Sequence, residues 1–188
     1  MNRFFNIIAI AALLILPALF FISCNSSDNA SYSRQGIIPL PFGRGHDYSD
    51  TLVVRAVDGD TLKLDSGERV RLIGIDTPEI HESYKLYRDS KKTHQDIRTI
   101  KALGMRAFEF TRNLAEGKRV RLEFDLEKKD KYGRLLAYVY LKDGTFVNAE
   151  IVKQGYASLM TYPPNVKYAD LFLKLYREAR QNQRGLWQ

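Results

Sequence analysis

Three short apolar runs mark the start of a folded body. TLVVRAVD (51–58), DTLKLDS (60–66) and ERVRLIGI (68–75) are rich in Val, Ile, Leu and Thr and are bounded by turn residues such as Asp58-Gly59 and Ser66-Gly67. That is the signature of a β-meander. The period then changes. Ile100, Leu103, Ala107, Phe110 and Leu114 recur at three- and four-residue spacing across 99–116, an amphipathic helix with Gly117 at its C-terminal end. RVRLEFDL (119–126) returns to strict alternation, with Val120, Leu122, Phe124 and Leu126 on one face. RLLAYVYL (134–141) and TFVN (145–148) flank Asp143-Gly144, a hairpin signal. A short helix is expected from Asn148 as N-cap to Gln154, stopped by Gly155. After Tyr162-Pro163-Pro164-Asn165, a last helix carries Tyr168, Leu171, Phe172, Leu175, Tyr176 and Ala179.

The order β-β-β-α-β-β-α-α, with a helix between the third and fourth of five strands, predicts a five-stranded OB-type barrel with about three α-helices. No internal repeat is present. The stretch 80–98 has no apolar period and reads as a long basic loop containing Lys85, Arg88, Lys91, Lys92 and the histidines His81 and His94. Solvated loop histidines are the simpler reading of that pair, against a second metal site.

The N-terminus follows different rules. One basic residue, Arg3, precedes a run from Ile7 to Ile22 with no polar side chain. That order is the pattern of an export signal. The run is short of the roughly 18 residues expected of a spanning helix, and Pro17 interrupts it. It ends in Phe21-Ile22-Ser23-Cys24, which resembles a bacterial lipoprotein signal with Cys24 as the lipidated residue, although Phe21 stands where Leu is usual. An ordinary cleaved signal and an uncleaved anchor are the alternatives. The expected organisation is a signal over 1–24, a linker over 25–50 rich in Ser, Asn, Asp, Gly and Pro, and one domain over 51–188. Localisation is then the cell envelope through a lipid anchor, or secretion.

Composition narrows the chemistry. Cys24 is the sole cysteine, so neither an intramolecular disulfide nor a thiolate metal cluster can form. Twenty-nine basic against 22 acidic residues give a formal charge of +7, which favours polyanionic partners. Asp60 and Asp76 lie on either side of the 60–75 hairpin. Two neighbouring carboxylates repel unless a cation joins them, and with no thiolates a hard ion such as Ca²⁺ or Mg²⁺ suits them. The plainer reading makes Asp58-Gly59-Asp60 a turn and Asp76 a cap. Glu79 follows Asp76 across Pro78 and is either a general base or a helix-start residue. Arg71 and Arg134 carry the rigid donor fork that matches phosphate oxygens, or else are surface ion-pair residues. Strict alternation puts Arg71 and Asp76 on opposite faces of one strand. They converge only if the strand bulges or bends, and Gly74 is the expected place.

DGDT (58–61), RLIGIDTPE (71–79), DKYGR (130–134), FVNAEIVKQGYA (146–157) and RGLW (184–187) resemble, in wording and order, the staphylococcal nuclease (thermonuclease) family over roughly 51–187. The resemblance implies an OB barrel and Ca²⁺-dependent hydrolysis of DNA and RNA that leaves 3′-phosphate ends. It implies Asp60, Asp76 and the Thr77 carbonyl as calcium ligands, Glu79 as general base, and Arg71 and Arg134 as catalytic phosphate-binding residues. Tyr132 matches a nucleotide-contacting tyrosine, and Tyr162 matches another once a gap is allowed. The segment after Glu79 is longer than in the compact family form. No protein partner is implied, and a monomer is expected. The rival reading is an OB module anchored at the cell surface that binds nucleic acid without cutting it.

Overall fold

The computed structural model describes residues 46–188; the leader, Cys24 and the linker up to residue 45 lie outside the described residues. Among the described residues no helix is long and apolar enough to cross a membrane. Five strands close a barrel in the order β1-β2-β3-β6-β5. They are β1 (Thr51–Asp58), β2 (Thr61–Leu64), β3 (Arg69–Leu72), β5 (Arg119–Glu123) and β6 (Leu135–Leu141). All neighbours run antiparallel except β3 and β6, and β5 returns to β1 to close the ring. This is the expected OB-type barrel. Inward positions of the alternating runs, among them Val53, Leu62, Leu64, Val70, Leu72, Val120, Leu135 and Val139, form one buried core. The chain is engaged from Tyr48, whose hydroxyl donates to Glu68 (2.8 Å) and whose carbonyl accepts from the Leu122 amide (2.9 Å).

Among the described residues four helices, where about three were expected, surround the barrel: α1 (Tyr84–Thr93), α2 (Ile97–Ala115), α3 (Val147–Lys153) and α4 (Ala169–Gln181). Helix α1 falls in the stretch read as a loop. Its apolar anchoring is one fully buried residue, Leu86, too little to set a period, and Ser83 caps its first turn by accepting from the Leu86 amide (3.1 Å). Three other expectations need correction. TFVN forms no strand. The return at Asp143-Gly144 makes two backbone bonds, from the Gly144 amide to the Leu141 carbonyl and from the Leu141 amide to the Thr145 carbonyl, and a bridge at Phe146 before α3 begins. Asn148 is not the N-cap of α3, a place held by Phe146. It is fully buried inside the helix, where its side chain accepts from the Val139 amide (3.0 Å) and donates to the Ile73 (3.0 Å) and Ala137 (3.4 Å) carbonyls. Leu126, placed on the buried face, is 79% exposed because β5 ends at Glu123.

The expected distortion at Gly74 takes a different form. The run 69–76 does not bulge within one ladder but breaks in two. β3 pairs with β2 and β6, whereas β4 (Gly74–Asp76) leaves the barrel and pairs antiparallel with β7 (Ser158–Met160), an unforeseen strand. Gly74 has φ +83°, and a Cβ built there would stand 2.5 Å from the Phe172 ring of α4. A side chain there meets both a backbone penalty and a steric one.

Gly74→Ala is therefore expected to destabilise the protein by about 3 kcal/mol or more, from left-handed strain plus overpacking. Gly67→Ala, at φ +86° with nothing within 4 Å of its Cβ, should cost only about 1 kcal/mol. Urea denaturation of the two variants checks this, and equal losses would remove the role given to Phe172.

Candidate active site

The turns that carry the carboxylates are held from below by α2. The Thr111 hydroxyl, fully buried, donates to the Gly59 carbonyl (2.7 Å). One face of α2 has no side chain at Gly104, where a Cβ would lie 2.7 Å from the Pro78 carbonyl oxygen and 2.8 Å from that of Glu79. Bare backbone at this position lets the 76–79 turn rest directly on the helix. Asp60 is then tied to that turn, its Oδ2 accepting from the Thr77 amide (3.0 Å) and hydroxyl (3.2 Å). A residue just before β2 and a turn just after β4 thus become one unit.

Arg71 crosses the Gly74 break. Its Nη1 lies 3.1 Å from Asp60 Oδ2 and its Nη2 donates to Asp76 Oδ1 at 3.0 Å, while Nη1 also donates to the Leu72 carbonyl (3.2 Å). The alternation problem is resolved by the strand switch. The opposite edge is the 130–134 turn. Asp130 Oδ1 accepts from the Tyr132 and Arg134 amides, and Oδ2 accepts from Arg134 Nε at 2.7 Å. Its carboxyl lies below the ordinary carboxylate range because those bonds to Arg134 and the backbone outweigh its burial. Tyr132 is 72% exposed, with the Lys131 ammonium and the Arg134 guanidinium 5.0 and 5.6 Å from its ring centre. Tyr162 is 68% exposed beside the turn that Asn165 clamps to Glu127 with two 2.8 Å bonds.

These parts line a single cleft of about 740 Å³ that contains Asp60, Asp76, Glu79, Arg71, Arg134, Tyr132 and Tyr162. Thr77 stands behind it, its carbonyl facing the same cation as Asp76 and Glu79. That cation is Lys85 of α1, whose Nζ is 2.9 Å from the Thr77 carbonyl oxygen, 3.0 Å from Asp76 Oδ1 and 3.1 Å from Glu79 Oε1. His81 and His94 are both exposed. His94 ends α1 in a left-handed conformation, φ 58°.

Lys85 and Asp58 are the members of the site that their sequence setting hid. Lys85 sat in a run with no period, and only the Ser83 cap ahead of Leu86 hinted at a helix that would aim it. Asp58 read as half of a turn. It lines the cleft, where burial, with neighbouring Asp60 adding, pushes its carboxyl from 3.8 to about 6. Burial also raises Asp76; Lys85 and Arg71 oppose that rise and Asp60 adds to it. Burial works against the charge on Lys85, but Asp76, Glu79 and Asp60 together outweigh it and raise its pKa.

Among the described residues no three His, Cys, Asp or Glu side chains converge on one metal position. Two carboxylates and a main-chain carbonyl are what the expected calcium site offers. That all-oxygen set, already drawing the charge of Arg71 and Lys85, fits a hard divalent cation.

The sequence pattern described as staphylococcal nuclease homologue matches residues 69–188. The chain is 42% identical over 148 residues to a thermonuclease of Staphylococcus intermedius, covering 77% of this chain and 78% of that protein. It is 36% identical over 194 residues to an uncharacterised protein of Methanocaldococcus jannaschii, at 93% of each chain. A thermonuclease of Staphylococcus hyicus is 30% identical over 184 residues, covering 96% of this chain and 94% of that protein.

Because the folded carboxyl of Asp58 titrates above its unfolded value, its ionised form opposes folding. The cost is full above about pH 6, shrinks as pH falls and is gone below about pH 4. Asp58→Asn keeps the oxygen that accepts from the Gly59 amide (2.7 Å) and removes the charge. In chelator it should stabilise the protein by about 2 kcal/mol at pH 8, and the gain should vanish near pH 4. Melting curves across that range check it, and a gain independent of pH would remove the electrostatic cause.

Proposed function

The chain belongs to the staphylococcal nuclease family, and on that premise we propose that it is a calcium-dependent nuclease of low sequence specificity. It hydrolyses phosphodiester bonds of DNA and RNA and leaves 3′-phosphate ends. The observation that carries this reading is the one cleft lined by Asp60, Asp76 and Glu79 together with Arg71 and Arg134. A module that only binds a polyanion gains from the arginines but is repelled by the carboxylates. Their presence among the phosphate-binding cations favours catalysis over the binding-only reading.

Calcium held by Asp60, Asp76 and the Thr77 carbonyl would supply positive charge beside a non-bridging phosphoryl oxygen. Every other part of the reaction falls to side chains of this protein. Arg71 makes its contacts to Asp60, Asp76 and Leu72 through Nη1 and Nη2, so Nε is the donor it offers phosphate without leaving them. Arg134 is held through Nε by Asp130, which turns both Nη groups to the same task. Their hydrogen bonds strengthen as negative charge builds on the phosphoryl oxygens, which is where the barrier falls. Glu79 accepts a proton from the attacking water, which forms the new P–O bond as the bond to the 5′-oxygen breaks. Arg134 stands ready to stabilise that departing oxygen. Tyr132 and Tyr162, both exposed at the rim, stack bases without reading them. The backbone charge supplies the affinity, which falls with salt.

The leader supports export. An apolar run from Ile7 to Ile22 after Arg3, followed by Ser23-Cys24, supports a lipid-anchored protein of the cell envelope, acting as a monomer on nucleic acid outside the cytoplasm.

The purified protein should cut labelled single-stranded DNA with Ca²⁺, lose the activity in EDTA, and yield ends that phosphatase must treat before a polymerase can extend them. Arg71→Ala, Glu79→Ala and Arg134→Ala should each lower kcat by about 10²-fold or more. Salt-sensitive binding without cleavage would overturn the reading, and near-normal turnover in any variant would remove that residue's role. In the producing cell, Cys24→Ala should abolish incorporation of labelled fatty acid; unchanged labelling would refute the anchor.

A further inference from the structure

The second residue of α1 takes up oxygens that the calcium reading needs. The Lys85 ammonium has three protons and meets three acceptors, Thr77 O at 2.9 Å, Asp76 Oδ1 at 3.0 Å and Glu79 Oε1 at 3.1 Å. Two of these belong to proposed calcium ligands and the third to the proposed general base. The lysine is not a surface residue that happens to lie nearby, since its side chain is only 21% exposed. Its position is built by the start of the helix, with the Ser83 cap behind it and fully buried Leu86 beside it. Both cations that hold the acidic cluster together, Arg71 from β3 and Lys85 from α1, converge on Asp76 Oδ1.

We propose that Lys85 is a tethered cation that holds the calcium seat in the metal-free protein and must withdraw before the ion can bind, so that helix α1 sets the metal affinity of the site. The inference rests on the calcium reading above. Of the proposed ligands Arg71 touches the carboxylates alone, whereas the Lys85 ammonium takes the Thr77 carbonyl and Asp76 Oδ1 together, so it occupies two of the proposed ligands and repels a divalent ion brought to them. Ligand affinity falls in proportion to the fraction of molecules whose site is open, so a seat held by the lysine in about nine molecules of ten weakens the apparent Kd about tenfold. Withdrawal also releases Glu79. The oxygen that Lys85 holds at 3.1 Å is then open to the attacking water, so occupation of the seat by the ion and exposure of the base become one event. Without the ion, the lysine spares the cluster the repulsion of unscreened carboxylates. The apo protein therefore keeps its active-site turn.

Calcium titration by calorimetry, without nucleic acid, tests this on the wild type, Lys85→Met and Lys85→Gln. Gln keeps a donor for the Thr77 carbonyl without the charge, which guards against a misfolded Met variant; circular dichroism confirms the fold of each. The expected result is a Kd at least tenfold tighter in both variants. Their melting temperatures should be lower than wild type in EDTA and rise more on adding Ca²⁺. Equal or weaker binding by the folded variants would overturn the tethered cation and leave the calcium reading standing. No calcium binding by any of the three would overturn that reading, and this inference with it.

Discussion

At Gly74 the backbone passes into the left-handed region with the Phe172 ring against the place of its missing Cβ, and the strand changes partners there. Before the break the chain belongs to the barrel and pairs with β6; after it, the chain pairs with β7 outside the barrel. Only this change of direction brings Arg71 and Asp76 to a 3.0 Å contact, since a continuous strand would hold them on opposite faces. Asn148 secures the break from the inside by binding the carbonyl of Ile73 and the backbone of β6 together. A buried amide that satisfies three backbone groups makes the break rigid, because any slip would leave unpaired polar atoms in the core. Phe172 closes it from the side of α4.

From that fixed point the site is an electrostatic balance. Asp58, Asp60, Asp76 and Glu79 crowd one end of the cleft, and burial first, then the charge of Asp60, opposes ionisation of Asp58 and Asp76. Arg71 and Lys85 offset part of this, and the acidity left over is what the proposed calcium seat requires. Two of the donors to Asp60, the amide and the hydroxyl of Thr77, come from the turn that rests on Gly104 of α2. The helix therefore sets the spacing of the carboxylates although it contributes no charge to them.

The other edge follows different physics. Asp130 folds its own turn, orients Arg134 and leaves Tyr132 exposed, while Asn165 pins the Tyr162 turn to Glu127. A guanidinium on a tightly bonded turn, with aromatic rings exposed at the rim, suits the proposed grip on a phosphate with bases of any identity against the tyrosines. Helix α1 also reaches the cleft. Its Lys85 couples the helix to the acidic end, and Arg88 lines the cleft one turn further on.

What the sequence determined alone was whatever depends on local period and residue type. The alternation of Val120 and Leu122, the heptad-like spacing from Ile100 to Leu114 and the turn residues between strands were enough for the barrel and its main helix. The acid and arginine pairs were legible because carboxylates and guanidinium groups in short motifs restrict the chemistry open to them. Tertiary structure decided everything that hangs on one anchor or on distance. Helix α1 rests on Leu86 alone, too weak a signal against the polar residues around it. TFVN looked like a strand, but the break at Ile73 needed Asn148 inside a helix, and that long-range bond overrode a local preference. Asp58 passed for a turn residue and Lys85 for a solvated one, because burial and opposing charge are properties of a folded neighbourhood. The bend at Gly74 could be demanded from the sequence. Its form, a change of sheet sealed by an aromatic ring 98 residues further along the chain, came only from the packing.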